Sequence, residues 1–216
     1  ISQSGEKLML KSGRSKFSLT TLPAAEFPTV EDINAGQSVS VAQAALMRLI
    51  EKSHFSMAQQ DVRYYLNGLL LETGAASLRT VATDGHRLAL CEVTLDGGEL
   101  PEQQVIVPRK GVLELQRLMT GEGEWTIELG TNHGRIQLEG IRFTSKLIDG
   151  RFPEYERVIP QDTSNTMSAD RGLFKAALQR TAILSNEKYR GIRLIIRSGG
   201  LLLQAHNPEQ EEAEEE

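Results

Sequence analysis

Apolar positions along the chain follow two periods. Near the start a short apolar run, Leu8-Met9-Leu10, and the alternating Phe17 and Leu19 fall within 6–11 and 15–19, predicting a strand pair turned at Ser12-Gly13. From residue 41 the period lengthens. Ala45, Leu46, Leu49 and Ile50 share one face of a helix predicted over 41–52, with Arg48 and Lys52 together on the other. Strand patterns follow at 63–71, 78–83 and 88–93. A second helix is predicted over 109–119. Val112, Leu115, Leu118 and Met119 point inward there, and Lys110 and Arg117 lie seven residues apart on the opposite face. Pro108 precedes it, where a helix start tolerates proline. Strands at 124–129, 135–138 and 142–147 come next, then a third helix over 171–182 and strands over 192–197 and 201–205.

A short strand leads into each of the first two helices, at Val39 and at Val105-Ile106-Val107, and three strands come after each. This is an internal repeat of roughly 65 residues, longer than solenoid periods. One helix and three or four strands cannot bury both faces alone, so two such units are expected to pair into one α+β domain. Leu22 with Phe27-Pro28 echoes Leu147 with Phe152-Pro153, and each segment precedes a polar connection, at 32–38 or 161–168. The expected organisation is the end of one domain over 1–36, a complete domain over 37–160 and the first half of another over 161–216.

Charge changes that picture little. Among 216 residues, 24 Lys and Arg face 29 Asp and Glu, a net charge of −5. Six of the acids are Glu209, Glu211, Glu212, Glu214, Glu215 and Glu216; without them the body carries 24 positive charges against 23 negative. Any affinity for nucleic acid must therefore come from how charge is arranged, not from its total. The single cysteine, Cys91, rules out an intramolecular disulfide framework and a cysteine zinc site. No apolar run approaches the ~20 residues of a membrane span. Ile1-Ser2-Gln3-Ser4-Gly5 has neither charged nor apolar leader character, so a cytoplasmic protein without membrane association is expected. The first strand pair lacks a preceding helix to cover it, and the chain stops in glutamates directly after a strand. By residue pattern those glutamates are either a free acidic tail or the cut edge of a domain, and a chain truncated at both ends is the expectation.

The specific signal lies in a few motifs. Gln60-Asp61-Val62-Arg63-Tyr64-Tyr65-Leu66-Asn67-Gly68 is followed by Thr80-Val81-Ala82-Thr83-Asp84-Gly85-His86-Arg87-Leu88-Ala89. Further on come Val107-Pro108-Arg109-Lys110-Gly111, Phe143-Thr144-Ser145-Lys146-Leu147, Asp149-Gly150-Arg151-Phe152-Pro153, and Ala182-Ile183-Leu184-Ser185-Asn186-Glu187-Lys188. Together with Asn207-Pro208-Glu209-Gln210-Glu211-Glu212-Ala213, these resemble the bacterial DNA sliding clamps, the β subunits of DNA polymerase III holoenzyme, over essentially the whole chain. The resemblance implies the DNA-clamp fold, in which three domains of paired helix-plus-sheet units close as a homodimer ring with helices lining the hole. It also makes the terminal glutamates a strand segment. By that comparison the chain lacks parts of the first and third domains that the ring interface needs, so on its own it is not expected to close a ring.

The resemblance further implies a non-catalytic processivity factor with no cofactor and no metal. Its partners would be double-stranded DNA, held without sequence preference, the replicative polymerase, the clamp loader and other proteins carrying a clamp-binding peptide. Gln60, Tyr64 and Tyr65 match a loop that touches DNA; by residue type alone, Tyr64 and Tyr65 read equally as strand-core positions. Arg48, Lys52, Arg109, Lys110 and Arg117, with Lys175 and Arg180, are polar-face cations suited to line the hole, though an ordinary solvated face fits each of them too. The peptide pocket matches Leu66, Thr83, Gly85, His86, Arg87, Leu88, Pro153, Arg157 and Val158, with Arg63 at its margin. Leu66, Leu88, Pro153 and Val158 would supply an apolar floor, Gly85 close backbone approach, and Arg63, Arg87 and Arg157 partners for peptide carbonyls or acids. Thr83-Asp84-Gly85 also reads as a plain hairpin turn, which is compatible with a pocket wall.

Two other classes share part of this pattern. A hydrolase would draw on Asp84, His86 and Ser56, or on His54, His86, His133 and His206 as metal ligands. The histidines form no HxxxH or HxH pair and no nucleophile motif is nearby. A β-rich scaffold unrelated to DNA would share the repeat but not the two motifs TDGHRLA and DGRFP.

Overall fold

A computed structural model describes the chain except residues 29–36, 96–99, 139, 162, 187 and 210. The expected break at 36/37, most of the polar connection over 32–38, and Glu187 and Gln210 of the motifs lie outside the described residues. The chain forms two compact units, Ile1–Tyr155 and Glu156–Glu216. The division falls slightly before the break expected at 160/161.

In the first unit, β1 (Ser2–Ser4), β2 (Lys7–Ser12) and β3 (Ser15–Thr20) form an antiparallel sheet in that order. β1 escapes the sequence pattern because Ser-Gln-Ser carries no apolar alternation; its pairing with β2, Ser2 opposite Met9, holds it. β4 (Gln37–Ala42) and α1 (Gln43–Ser53) open the first repeat, followed by β5 (Gly68–Gly74), β6 (Ser77–Thr83) and β7 (Leu88–Thr94). β8 (Gln103–Pro108) and α2 (Arg109–Leu118) open the second, followed by β9 (Glu124–Leu129), β10 (His133–Leu138) and β11 (Ile141–Lys146).

The two repeats exchange their leading strands. One sheet has the order β7-β6-β5-β8 and the other β11-β10-β9-β4, so each strand that enters a helix completes the sheet of the other repeat. A single core follows from that exchange. Leu46, Leu49 and Ile50 of α1 and Val112 and Leu115 of α2 pack with Leu71, Leu78, Trp125 and Ile127 from both sheets, all at most 5 % exposed.

Gln43 pins the crossing. It is fully buried, and its Nε2 donates to the Glu122 carbonyl at 2.7 Å while its Oε1 accepts from the Thr120 and Gly121 N–H groups. Its own N–H donates to the Gly123 carbonyl at 2.9 Å, which satisfies a donor that Ala42, having no side-chain acceptor, leaves uncapped at the start of α1.

Three of the departures from the expected element boundaries bear on the fold. Val41 belongs to β4, not to α1, because β4 pairs with β9 as far as Ala42 opposite Glu124. The strand expected over 63–71 begins only at Gly68; Tyr64–Leu66 form a 3-10 turn instead. The cause is a reciprocal clasp. The Asp61 N–H donates to Asn67 Oδ1 at 2.9 Å and Asn67 Nδ2 donates to the Asp61 carbonyl at 2.8 Å, closing a loop where apolar content alone suggested extension. Finally, the third helix stops at Thr181 and continues as a 3-10 turn over Ala182–Leu184.

The second unit contains that helix, α3 (Arg171–Thr181), and an antiparallel sheet β12 (Arg193–Arg197), β13 (Gly200–His206), β14 (Glu212–Glu215). Asp170 caps α3, accepting from the Leu173 N–H at 2.8 Å. The glutamates form a strand: β14 pairs with β13, Leu203 opposite Glu215, and Arg180 holds the Glu215 carboxylate with two of its nitrogens.

Candidate nucleic-acid and peptide interfaces

Within the first unit, two stretches that the sequence singled out emerge from the same sheet. The loop leaving α1 carries Gln60, Asp61 and Arg63, and β6 runs into the turn Thr83–Leu88. Gln60 has φ +56°, a left-handed backbone that costs a non-glycine residue of order 1 kcal/mol. The Asp61–Asn67 clasp directly after it holds that conformation. The backbone N–H of Arg63 donates to Asp61 Oδ1 at 2.8 Å, and its Nε and Nη2 donate to the two carboxylate oxygens at 3.0 and 2.8 Å. These donors, the Arg63 side chain foremost, hold the Asp61 carboxyl down at about 2, against 3.8 ordinarily.

Arg63 also reaches the turn. Its Nη2 donates to the Asp84 carbonyl at 3.2 Å, and a Cβ placed on Gly85 would come within 3.0 Å of its Nη1. Gly85 has φ +87°, a backbone that favours glycine, and the absent side chain leaves room for the guanidinium beside it. The turn is closed by its own side chains. Thr83 Oγ1 accepts from the Gly85 N–H and donates to the Arg87 carbonyl, and Asp84 Oδ1 accepts from the N–H groups of His86 and Arg87. Burial alone would raise the Asp84 carboxyl, but those two N–H groups and the Arg87 guanidinium outweigh it and lower it. Arg87 donates from Nε to Asp84 at 3.1 Å and from Nη2 to the Phe55 carbonyl at 2.7 Å, with its guanidinium 5.9 Å from the Phe55 ring centre. Thus Arg63 and Arg87, expected to await peptide groups, are both already held by aspartates.

The segment leaving β11 covers the outer face of the sheet. The Ile148 N–H donates to the Ile106 carbonyl, and a Cβ on Gly68 would meet the Ile148 side chain at 3.0 Å. Gly150 lies against Tyr64 and Tyr65, where a Cβ would come within 3.2 and 3.4 Å. Phe152 is buried and Pro153 exposed. Tyr155 then anchors the segment: its hydroxyl donates to Glu72 on β5 and accepts from Arg79 Nη1 on β6 at 2.9 Å. Burial, with the Glu72 carboxylate beside it, pushes the Tyr155 hydroxyl up to about 12. The cover also explains why Gly68, Leu69, Leu70 and Leu71 are buried in succession, on both faces of the strand.

The cations separate into groups. Arg109, Lys110 and Arg117 of α2 line one cleft of about 450 Å³ together with Gln60 and Asn67. Three cations there face one carboxylate, Glu114, which pairs with Arg117 at 3.1 Å. The Arg109 N–H donates to the Asn67 carbonyl at 3.0 Å, joining α2 to the loop. Arg48 and Lys52 are exposed on α1 but do not line that cleft. Tyr64 is 56 % exposed and Tyr65 half-buried, edge to face at 5.8 Å; neither enters the cleft. Leu66 is 2 % exposed and belongs to the interior, so it can serve only as deep support beneath a pocket.

Arg157 and Val158 open the second unit, where Val158 is 68 % exposed. Lys175 is exposed there, whereas Arg180 is engaged by Glu215. Asp61, Asn67, Phe55 and Tyr155 were missed by sequence reasoning. For Asp61 and Asn67 a signal existed: two clasping residue types flank an aromatic pair, the pattern of a closed loop and not of a strand. Among the described residues no group of three His, Cys, Asp or Glu side chains could hold a metal, and no helix is long and apolar enough to cross a membrane.

Comparison with known proteins agrees with this architecture. Residues 40–154 match the family described as DNA polymerase III beta subunit, central domain, and 156–216 the C-terminal domain of the same subunit. The chain is 56 % identical over 212 residues to the beta sliding clamp of Pseudomonas aeruginosa, covering 98 % of this chain and 58 % of that protein. It is 52 % identical over 212 residues to that of Escherichia coli K12, again covering 98 % and 58 %. The crystal structure of the DNA polymerase III subunit beta from P. aeruginosa superposes with a TM-score of 0.93 at 55 % identity, over 99 % of this chain and 59 % of that one. A P. aeruginosa sliding clamp bound to griselimycin superposes at 0.89 with 56 % identity, over 97 % and 57 %. The chain spans about 58 % of the length of these relatives.

Proposed function

The chain belongs to the DNA polymerase III beta subunit family, the β sliding clamps, and from that premise we propose that the whole protein is a processivity factor that encircles duplex DNA and tethers its partners. It performs no catalysis and needs no cofactor in this reading, and it acts in the cytoplasm as a homodimeric ring. The central domain is assigned to 37–160, with parts of the first and third domains over 1–36 and 161–216.

A clamp resolves a conflict. Phosphate contacts strong enough to hold a polymerase would stall it, and non-specific charge contacts give only ~10⁻⁴ to 10⁻⁶ M affinity at physiological salt. Topological linkage lets weak, exchangeable contacts suffice. The observation that carries the reading is the single cleft in which Gln60 meets Arg109, Lys110 and Arg117. These side chains come from a loop and a helix distant in sequence, and they offer charge and hydrogen bonds without base readout. Arg48 and Lys52, with Tyr64 and Tyr65, extend the surface by further charge and by stacking.

Partner docking is assigned to the turn bearing Thr83, Gly85, His86, Arg87 and Leu88, with Arg63, Leu66 and Pro153; the family resemblance adds Arg157 and Val158. Each apolar anchor of a docked peptide contributes ~1.5–3 kcal/mol. After ordering costs, a few anchors give micromolar binding, which suits exchange between the replicative polymerase, the clamp loader and other partners.

The test uses the full-length protein loaded by a clamp loader onto nicked circular DNA. Retention on the circle and run-off once the circle is linearised are expected. Retention on linear DNA with free ends would mean ordinary affinity binding and would overturn the ring.

A further inference from the structure

One side chain belongs to both proposed surfaces. Arg63 sits in the Gln60–Tyr65 segment assigned to DNA, yet its guanidinium rests on the Asp84 carbonyl and against Gly85 in the turn assigned to peptide. Nothing in the clamp reading requires the two surfaces to share a group. The sharing is built by Asp61, whose carboxylate takes Nε and Nη2 and aims the guanidinium across the gap, while Asn67 fixes the Asp61 backbone from both sides. Asp84 extends the chain of contacts, since its carboxylate orders the His86 and Arg87 N–H groups and holds the Arg87 side chain.

We propose that Asp61 is a positioning residue that couples the two surfaces through Arg63, so that occupancy of one weakens the other. This rests on the clamp reading above. Arg63 Nη2 already serves both the Asp61 carboxylate and the Asp84 carbonyl, so a ligand that takes this nitrogen displaces it from one of them. A phosphate drawing Arg63 toward the loop takes it off the Asp84 carbonyl and loosens the turn. A peptide carboxylate or carbonyl drawing Arg63 toward the turn takes it from Asp61 and frees the loop that holds Gln60 in its left-handed backbone. The Arg63 side chain is 47 % exposed, so solvent screens the effect and a modest coupling is expected.

The experiment measures a thermodynamic cycle on the full-length protein. A fluorescein-labelled synthetic peptide with two apolar anchors and one acidic residue is titrated at low salt, with and without a saturating blunt 20-base-pair duplex. The duplex should weaken the peptide about three- to tenfold, and by linkage the peptide should weaken the duplex by the same factor. Asp61→Asn, which keeps the shape but removes the charge, should bring both ratios to within about twofold of one at an unchanged melting midpoint. Asp61→Glu, which keeps the charge, should retain them. A merely structural Asp61 would move the midpoint and leave the ratio alone. Wild-type ratios of one with both ligands bound, or an Asp61→Asn ratio equal to wild type, would overturn the coupling and leave the clamp reading intact. Failure of the peptide to bind wild type would overturn the coupling and the docking assignment together, whereas failure of the unloaded duplex to bind would overturn the coupling and leave the ring reading intact.

Discussion

Replacing Tyr155 by phenylalanine removes one oxygen and tests how the segment carrying Pro153 is held. The hydroxyl donates to Glu72 and accepts from Arg79, two hydrogen bonds to charged partners, each worth ~1.5–3 kcal/mol. Part of that loss is recovered, because Arg79 Nη1 already stands 3.8 Å from Glu72 and can close on it. The net destabilisation should be about 1–3 kcal/mol, lowering the melting midpoint by roughly 2–4 °C per kcal/mol for a protein of this size. The pH profile separates this from simple loss of packing. The hydroxyl is raised to about 12 from an ordinary 10, so the folded state keeps a proton that the unfolded chain releases. Its contribution is therefore complete below pH 10 and is lost as pH rises from 10 to 12. Urea unfolding of wild type should weaken across that window, and Tyr155→Phe should lack that component. Peptide affinity should fall several-fold at neutral pH, since Pro153 loses its tether two residues away. A stability change under about 0.5 kcal/mol with an unaltered alkaline limb would refute the anchoring argument.

Other consequences follow from the same geometry. Lys110→Ala should weaken duplex binding evenly across sequences and reduce the slope of log affinity against log salt by about one, read by anisotropy at several salt concentrations. Leu88→Asp places a charge at the first position of β7 beside the turn and should abolish peptide binding while the circular dichroism spectrum stays unchanged; loss of folding would instead assign Leu88 to structure. Gln43→Leu strands the Thr120 and Gly121 N–H groups and the Glu122 carbonyl, and should cost about 2–4 kcal/mol in urea unfolding.

What the sequence disclosed and what it hid divide along a physical line. Helix faces, strand alternation and the turn at Gly85 depend on residues within a few positions of one another, and they read directly. The exchange of β4 and β8 does not, because a strand's period states that one face is buried but not which sheet receives it. The repeat implied pairing of two units; only the register of Val39 opposite Ile127 and Leu70 opposite Ile106 says that they interlock. The same limit applied at the candidate sites. Arg63 and Arg87 announce themselves as cations near a turn, yet whether a cation awaits a ligand depends on where its nearest carboxylate points. Asp61 and Asp84 lie two and three residues away in sequence, and only the Asp61–Asn67 clasp and the Asp84 turn aim their oxygens at those guanidinium groups. A peptide docked as proposed would therefore compete with an internal partner at both arginines. In the proposed docking, affinity is then a difference between two pairings, and the apolar anchors, which have no internal ion pair to displace, are expected to carry the larger share of the binding free energy.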